Sequence, residues 1–159
     1  SVAVHNNFTV TIENNTFTPA EKEKMFIASL QGKRLSYNFT KIRDSVFTSY
    51  TKNLGKFVLA KDTTAPRISQ VNIPEGKWLS KQNDLKLTIS DNLSGIKSYS
   101  GYLNGKWILF EYDYKTKTII HEFDEKFIAE GRNDLKVVVT DNVGNSTIFE
   151  THFFRSQKK

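Results

Sequence analysis

Apolar and polar residues alternate along most of this chain. Leu85, Leu87 and Ile89 are interleaved with Lys86, Thr88 and Ser90. Leu135, Val137 and Val139 are interleaved with Lys136, Val138 and Thr140, and Phe8, Val10 and Ile12 with Thr9 and Thr11. A period of two sends successive side chains to opposite faces of an extended chain, so the pattern predicts half-buried β-strands. Such runs recur at 6–13, 24–30, 34–39, 45–51, 56–61, 67–73, 84–90, 96–103, 106–114, 117–123, 134–140 and 146–154, separated by Gly, Asn and Asp. Asn104-Gly105 lies between two aromatic-rich runs and predicts a two-residue hairpin, because both central positions of that turn take positive φ. Gln31-Gly32-Lys33 and Tyr114-Lys115-Thr116-Lys117 are further tight links. Within 106–114 the alternation places Ile108, Phe110, Tyr112 and Tyr114 on one face, and Trp107 and Leu109 on the other.

Helix signals are few. Thr18-Pro19-Ala20-Glu21 reads as an N-cap, a proline at the first helical position and a capping-box glutamate, enough for one or two turns. Asp124 to Glu130 predicts a short turn stopped by Gly131.

The domain break is expected at Lys61-Asp62-Thr63-Thr64-Ala65-Pro66, where a proline without an N–H suits the entrance to a strand. Residues 1–62 then form a partial β-sandwich, truncated at its N-terminal side or leaning on its neighbour. Residues 63–159 match an immunoglobulin-like sandwich in length and strand number. The fold class is therefore all-β, a partial β-sandwich followed by an immunoglobulin-like one. An internal echo supports the second domain. The run Asn83–Asn92 aligns with Asn133–Asn142 at an offset of fifty residues, with six of ten positions identical. The echo reads as two central, inward-facing strands on opposite sheets, strands B and F of the sandwich, with Leu87 and Val137 at its centre.

Composition narrows the chemistry. The 159 residues are 38% apolar and include 12 Phe, which excludes a disordered polymer. No apolar run is long enough to span a membrane. The net charge of +6 is diffuse apart from the tail residues Arg155, Lys158 and Lys159, so no basic stripe marks a nucleic-acid surface. With no cysteine, disulfides, thiolate metal sites and cysteine nucleophiles are all ruled out. His5, His121 and His152 form no HxH or HxxxH pair, and no GxSxG elbow or phosphate-binding loop is present. The chain is expected to be non-catalytic and to hold no cofactor.

Two constellations remain as binding candidates. Asp62, Asp91 and Asp141 end strands, and Asn145 closes the loop after Asp141; these oxygens suit a hard cation such as calcium. The same residues at strand ends also satisfy the backbone needs of tight turns. The second candidate is aromatic. Trp78, Tyr99, Tyr102 and Trp107 would contact glycan if their rings are exposed, and would fill the core if they are not.

Several strings carry a family resemblance. They include Asp62-Thr63-Thr64-Ala65-Pro66, Glu75-Gly76-Lys77-Trp78-Leu79-Ser80, Ser94-Gly95-Ile96-Lys97-Ser98-Tyr99, Asn104-Gly105-Lys106-Trp107 and Val139-Thr140-Asp141-Asn142-Val143-Gly144-Asn145. In these strings the chain resembles the C-terminal Ig-like region of lysostaphin-like cell-envelope peptidoglycan metallopeptidases from bacteria of the Bacteroides/Flavobacterium group. The segment from His5-Asn6-Asn7-Phe8-Thr9 to Asn53-Leu54-Gly55-Lys56 is similar to the part just before that region. In that family a separate N-terminal domain binds zinc through HxxxD and HxH motifs, and neither motif occurs here. The resemblance implies an accessory part of such an enzyme, located outside the cytoplasm. Its partners would be the catalytic domain of the parent chain and peptidoglycan or another cell-surface glycan. On this view Ser1 marks a fragment boundary. The alternative is a stand-alone carbohydrate-binding or adhesion-type Ig-like module stabilised by calcium.

Overall fold

The computed structural model describes residues 3–156. Lys158 and Lys159 of the basic tail lie outside the described residues. The chain forms two compact units. The first runs to Thr64 and includes Asn92–Gly95; the second comprises Ala65–Asp91 and the chain from Ile96 onward.

In the first unit, β1 (Ala3–Glu13), β5 (Val46–Asn53) and β4 (Thr40–Arg43) form one antiparallel sheet in the order β1-β5-β4. The other sheet, in the order β3-β2-β6, contains β3 (Arg34–Tyr37), β2 (Met25–Gln31) and β6 (Lys56–Lys61). Met25, Ile27 and Phe47 are the buried centre, with Val10, Ile12, Phe17, Phe57 and Leu59 packed around them. The helix α1 (Pro19–Glu23) has the full capping box expected of Thr18 and Glu21. Lys22 Nζ ties the helix to Asp44 O and Ser45 Oγ in the β4–β5 turn, and Glu21 ties it to Lys61 at the end of β6.

The extended run expected at 34–39 ends early, and β4 was not foreseen. The chain leaves one sheet at Tyr37 and joins the other at Thr40. Polar side chains fix the crossing. Asn38 Nδ2 donates to Ile27 O and Ser29 Oγ, while Thr40 Oγ1 accepts from Ile27 N and donates to Asn38 O.

The second unit is a sandwich of two four-stranded antiparallel sheets. One sheet has the order β10-β9-β13-β14, built from β10 (Lys106–Ile108), β9 (Ile96–Leu103), β13 (Gly131–Asp141) and β14 (Ser146–Arg155). The other has the order β11-β12-β8-β7, built from β11 (Glu111–Asp113), β12 (Thr118–Glu122), β8 (Asp84–Ser90) and β7 (Arg67–Gln70). In immunoglobulin lettering these are C′CFG and DEBA. The echoed strands β8 and β13 are B and F, each inside its own sheet. Leu85, Leu87 and Ile89 meet Leu135, Val137 and Val139 in one core, completed by Ile119, Phe153 and others. Asn104 and Gly105 take φ of 52° and 77°, as the two-residue hairpin requires.

The expected strand at 106–114 is corrected. It divides at Leu109-Phe110, and its halves belong to opposite sheets. Ile108 and Phe110 both turn inward, and Tyr112, opposite buried Ile119 on the edge strand β11, keeps that side although it is 40% exposed; only Tyr114, in the turn beyond β11, leaves it. Two features hold the crossing in place. Gly101 has no side chain where the Phe110 ring lies; a Cβ there would be 2.2 Å from the ring. His121 Nδ1 donates to Leu109 O at 2.8 Å. The run expected at 67–73 also stops early, at Gln70. Asn72 replaces the ladder with its side chain, accepting from Lys86 N and donating to Asp84 O.

Asn133 fixes the approach to β13. It is fully buried, accepts from Ala129 N and Asn104 Nδ2, and donates to Ala129 O and Gly131 O. The expected turn after Asp124 is present, with Phe127 N donating to Asp124 O. Among the described residues no helix is long and apolar enough to cross a membrane.

Candidate functional site

The acidic candidates are built mainly from turn chemistry. Asp141 is fully buried at the end of β13. Its Oδ1 accepts from Val143 N and Asn145 N, and its Oδ2 accepts from Asn145 Nδ2 at 2.7 Å. Both oxygens thus serve the β13–β14 turn, and Asn145 presents a donor to Asp141. Asp91, at the end of β8, has a carboxylate oxygen within 4.8 Å of one from Asp141, so the second unit brings this pair together. Asp62 is buried in the first unit, where Oδ1 accepts from Thr64 N and Oδ2 from Ser94 N.

The aromatic candidates divide between two faces. Tyr99 lies opposite Val139 in the β9–β13 ladder and packs against the core, 6.0 Å from the Tyr112 ring. Tyr102 is three residues further on and faces outward. Trp107 is its direct cross-strand partner on β10 and is 57% exposed. Directly opposed residues project to the same face, so Trp107 and Tyr102 stand side by side on the outer surface. Trp78 is 63% exposed; its ring is 5.4 Å from that of Phe154, which meets His152 edge-on. Trp78 and Trp107 are therefore exposed, while Tyr102 and Tyr99 are both half-buried, the first on the outer face and the second against the core.

Beside Tyr102 the outer face of β9, β13 and β14 forms an open groove of about 900 Å³, lined by Tyr102, Lys136, Asp134, Glu150, His152 and neighbours that include Glu75 and Arg132. The ladder places Trp107, Tyr102, Lys136 and Glu150 in one row across the four strands. Its polar groups are organised in pairs. Lys136 Nζ is 3.0 Å from Glu150, Arg132 chelates Asp134 Oδ1 at 2.8–2.9 Å, and His152 Nδ1 is 3.6 Å from Glu75. The result is a polar floor with the Tyr102 ring at its side. It offers hydrogen-bond donors and acceptors beside one aromatic ring. Sequence reasoning missed these polar members. Their signal was available: Arg132, Asp134, Lys136, Glu150 and His152 are the outward positions of strands whose alternate residues form the core.

Of the histidines, His121 is buried beside Phe110 and Phe123, whereas His152 lines the groove. Arg155 is held over the Phe123 ring at 4.0 Å and donates to Leu79 O and Gln82 O. Desolvation lowers its pKa, and the nearby Glu125 works against that. Its guanidinium is thus a fastener of the β7–β8 connection rather than part of a free basic tail.

Residues 1–62 match the model of the Zu5-like domain. No curated protein sequence matches the chain. Among solved structures, the endo-β-1,4-mannanase from Thermotoga petrophila aligns with a TM-score of 0.51 and 10% identity, over 61% of this chain and 21% of that one. The fibronectin(III)-like modules of Clostridium thermocellum CbhA align over 96% of this chain and 86% of theirs, at TM-score 0.46 and 13% identity. The SrpA adhesin of Streptococcus sanguinis, as its R347E mutant, aligns over 60% and 59%, at TM-score 0.45 and 14% identity. The chain spans about a fifth of the mannanase, and at that identity the likeness shows the fold alone.

Proposed function

We propose that this chain is a non-catalytic accessory region of an extracytoplasmic peptidoglycan metallopeptidase, attaching the parent enzyme to cell-wall glycan. The observation that carries the reading is the outer face of the β10-β9-β13-β14 sheet, where half-buried Tyr102 lines a groove floored by paired charges and exposed Trp107 stands opposite it on β10. Aromatic rings take the C–H face of a sugar, and paired donors and acceptors take its hydroxyls. The resemblance of the quoted strings to the Ig-like region of lysostaphin-like enzymes supplies the parent.

The test is retention of the 159-residue chain on purified peptidoglycan sacculi. Wild type should be retained, and Trp107→Ala combined with Tyr102→Ala should weaken retention by roughly tenfold or more. Failure of the wild-type chain to bind would overturn the attachment role. The parent is tested separately, by whether the coding sequence upstream specifies HxxxD and HxH. If it does not, the alternative of a stand-alone carbohydrate-binding or adhesion-type module takes its place.

A further inference from the structure

We infer that the groove holds a neutral, unbranched saccharide chain lying across the strands, and that it selects against polyanionic glycans. The inference rests on the attachment role proposed above and names the ligand class for that face.

Charge is the first argument. Glu75, Asp134 and Glu150 supply three carboxylates, against two permanent cations, Arg132 and Lys136. Each cation already has an anionic partner, Arg132 with Asp134 at 2.8 Å and Lys136 with Glu150 at 3.0 Å. A uronate or phosphate chain would have to displace those partners and face the carboxylates it released. A neutral hydroxyl instead donates to a carboxylate lone pair and accepts from the neighbouring cation, so both pairs stay intact.

Direction is the second argument. Trp107, Tyr102, Lys136 and Glu150 occupy consecutive strands in one register. Strands are about 4.8 Å apart, so the row runs about 14 Å across the sheet. A sugar ring is about as long as one such step. One ring therefore rests on Trp107 and Tyr102 while the next places its hydroxyls over Lys136 and Glu150. Trp78 is tilted against Phe154, whose ring meets the groove residue His152 edge-on, so a further exposed aromatic adjoins His152 through Phe154.

Calorimetric titration of the full chain tests this. The probes are β-1,4-linked oligomers of N-acetylglucosamine, glucose and mannose, from one to five rings, with oligogalacturonate of equal length as the polyanion. At least one neutral series should bind, tightening up to about three rings and then levelling off. Oligogalacturonate should bind at least tenfold more weakly, and Trp107→Ala should cost about tenfold or more. Tyr114→Ala, which removes a ring 72% exposed outside the groove, should leave binding unchanged. Equal or tighter binding of oligogalacturonate, or no binding of any neutral series, overturns the inference. If no neutral series binds but sacculi still retain the chain, the ligand class fails and attachment stands; if neither binds, both fail.

Discussion

The two units use one plan, a pair of antiparallel sheets over a hydrophobic centre, at different scales. The first has Met25, Ile27 and Phe47 at its centre. The second has thirteen buried apolar residues, drawn from both sheets and the connections between them. A small centre leaves more of the fold to surface ties, and the first unit has them: the Thr18–Glu21 capping box, Lys22 reaching the β4–β5 turn, and Asn38 with Thr40 at the sheet crossing. A large centre frees the outer face. In the second unit the outward positions of β13 and β14 need not serve the core, so Lys136, Glu150, Asp134 and His152 can form a groove.

Truncating a side chain in each centre should give the largest losses of stability. Phe47→Ala removes the largest side chain of the Met25–Ile27–Phe47 cluster and should destabilise by about 4 kcal/mol. Phe153→Ala should lose a similar amount from a core with many more members. Hydrogen exchange should separate the two. Phe47→Ala should abolish slow exchange across β2 and β5, whereas Phe153→Ala should leave residual protection in β8. If β8 loses protection as completely as β2 and β5 do, the contrast in core size has no mechanical meaning.

A smaller effect is expected where the second unit turns a strand from one sheet to the other. Gly101→Ala would place a methyl 2.2 Å from Cε2 and 2.6 Å from Cδ2 of Phe110. Overpacking of this kind costs roughly 2 kcal/mol. Adding Phe110→Leu should recover part of the loss in urea melts, because it removes the ring that the methyl meets. If the double variant is less stable than both singles, the crossing does not depend on this close approach.

These crossings also mark what the sequence could not reveal. Alternation is set by burial, and in β8 and β13 burial is strictly one-sided, so Leu85, Leu87, Ile89 and their counterparts Leu135, Val137 and Val139 could be read directly. Alternation does not say which sheet a strand joins. Ile108 and Phe110 keep the same parity across the switch, since both face the shared core from opposite layers. The Asn38-Phe39 crossing is likewise made by side-chain hydrogen bonds, which leave no period in the sequence. In the groove, parity already separated Tyr99 from Tyr102, because residues three apart on a strand face opposite ways. What parity could not supply was register. Only the β10–β9–β13–β14 ladder brings Trp107, Tyr102, Lys136 and Glu150 into one row.

The smallest effect sharpens the claim that surface ties matter in the first unit. Glu21 accepts from Thr18 N at 3.0 Å and lies 3.0 Å from Lys61 Nζ. The Thr18 N–H, followed by the Lys61 ammonium and the Thr18 hydroxyl, holds its carboxyl at about 2, against an ordinary value of 4.5. A lowered carboxylate pKa means that the folded state favours the charged form. The stabilisation is therefore fully present above pH 4.5 and is lost as the pH falls through about 2. Glu21→Gln keeps the shape but not the charge, so its melting temperature should lie below that of wild type at neutral pH. The gap should close on acidification through that window. Because Lys61 and Glu21 are both 39% exposed, added salt should narrow it as well. A gap that stays the same from neutral pH down to about 2 would mean the carboxylate's charge does nothing for the cap, and the first unit would then depend on its buried cluster more heavily than on its surface ties.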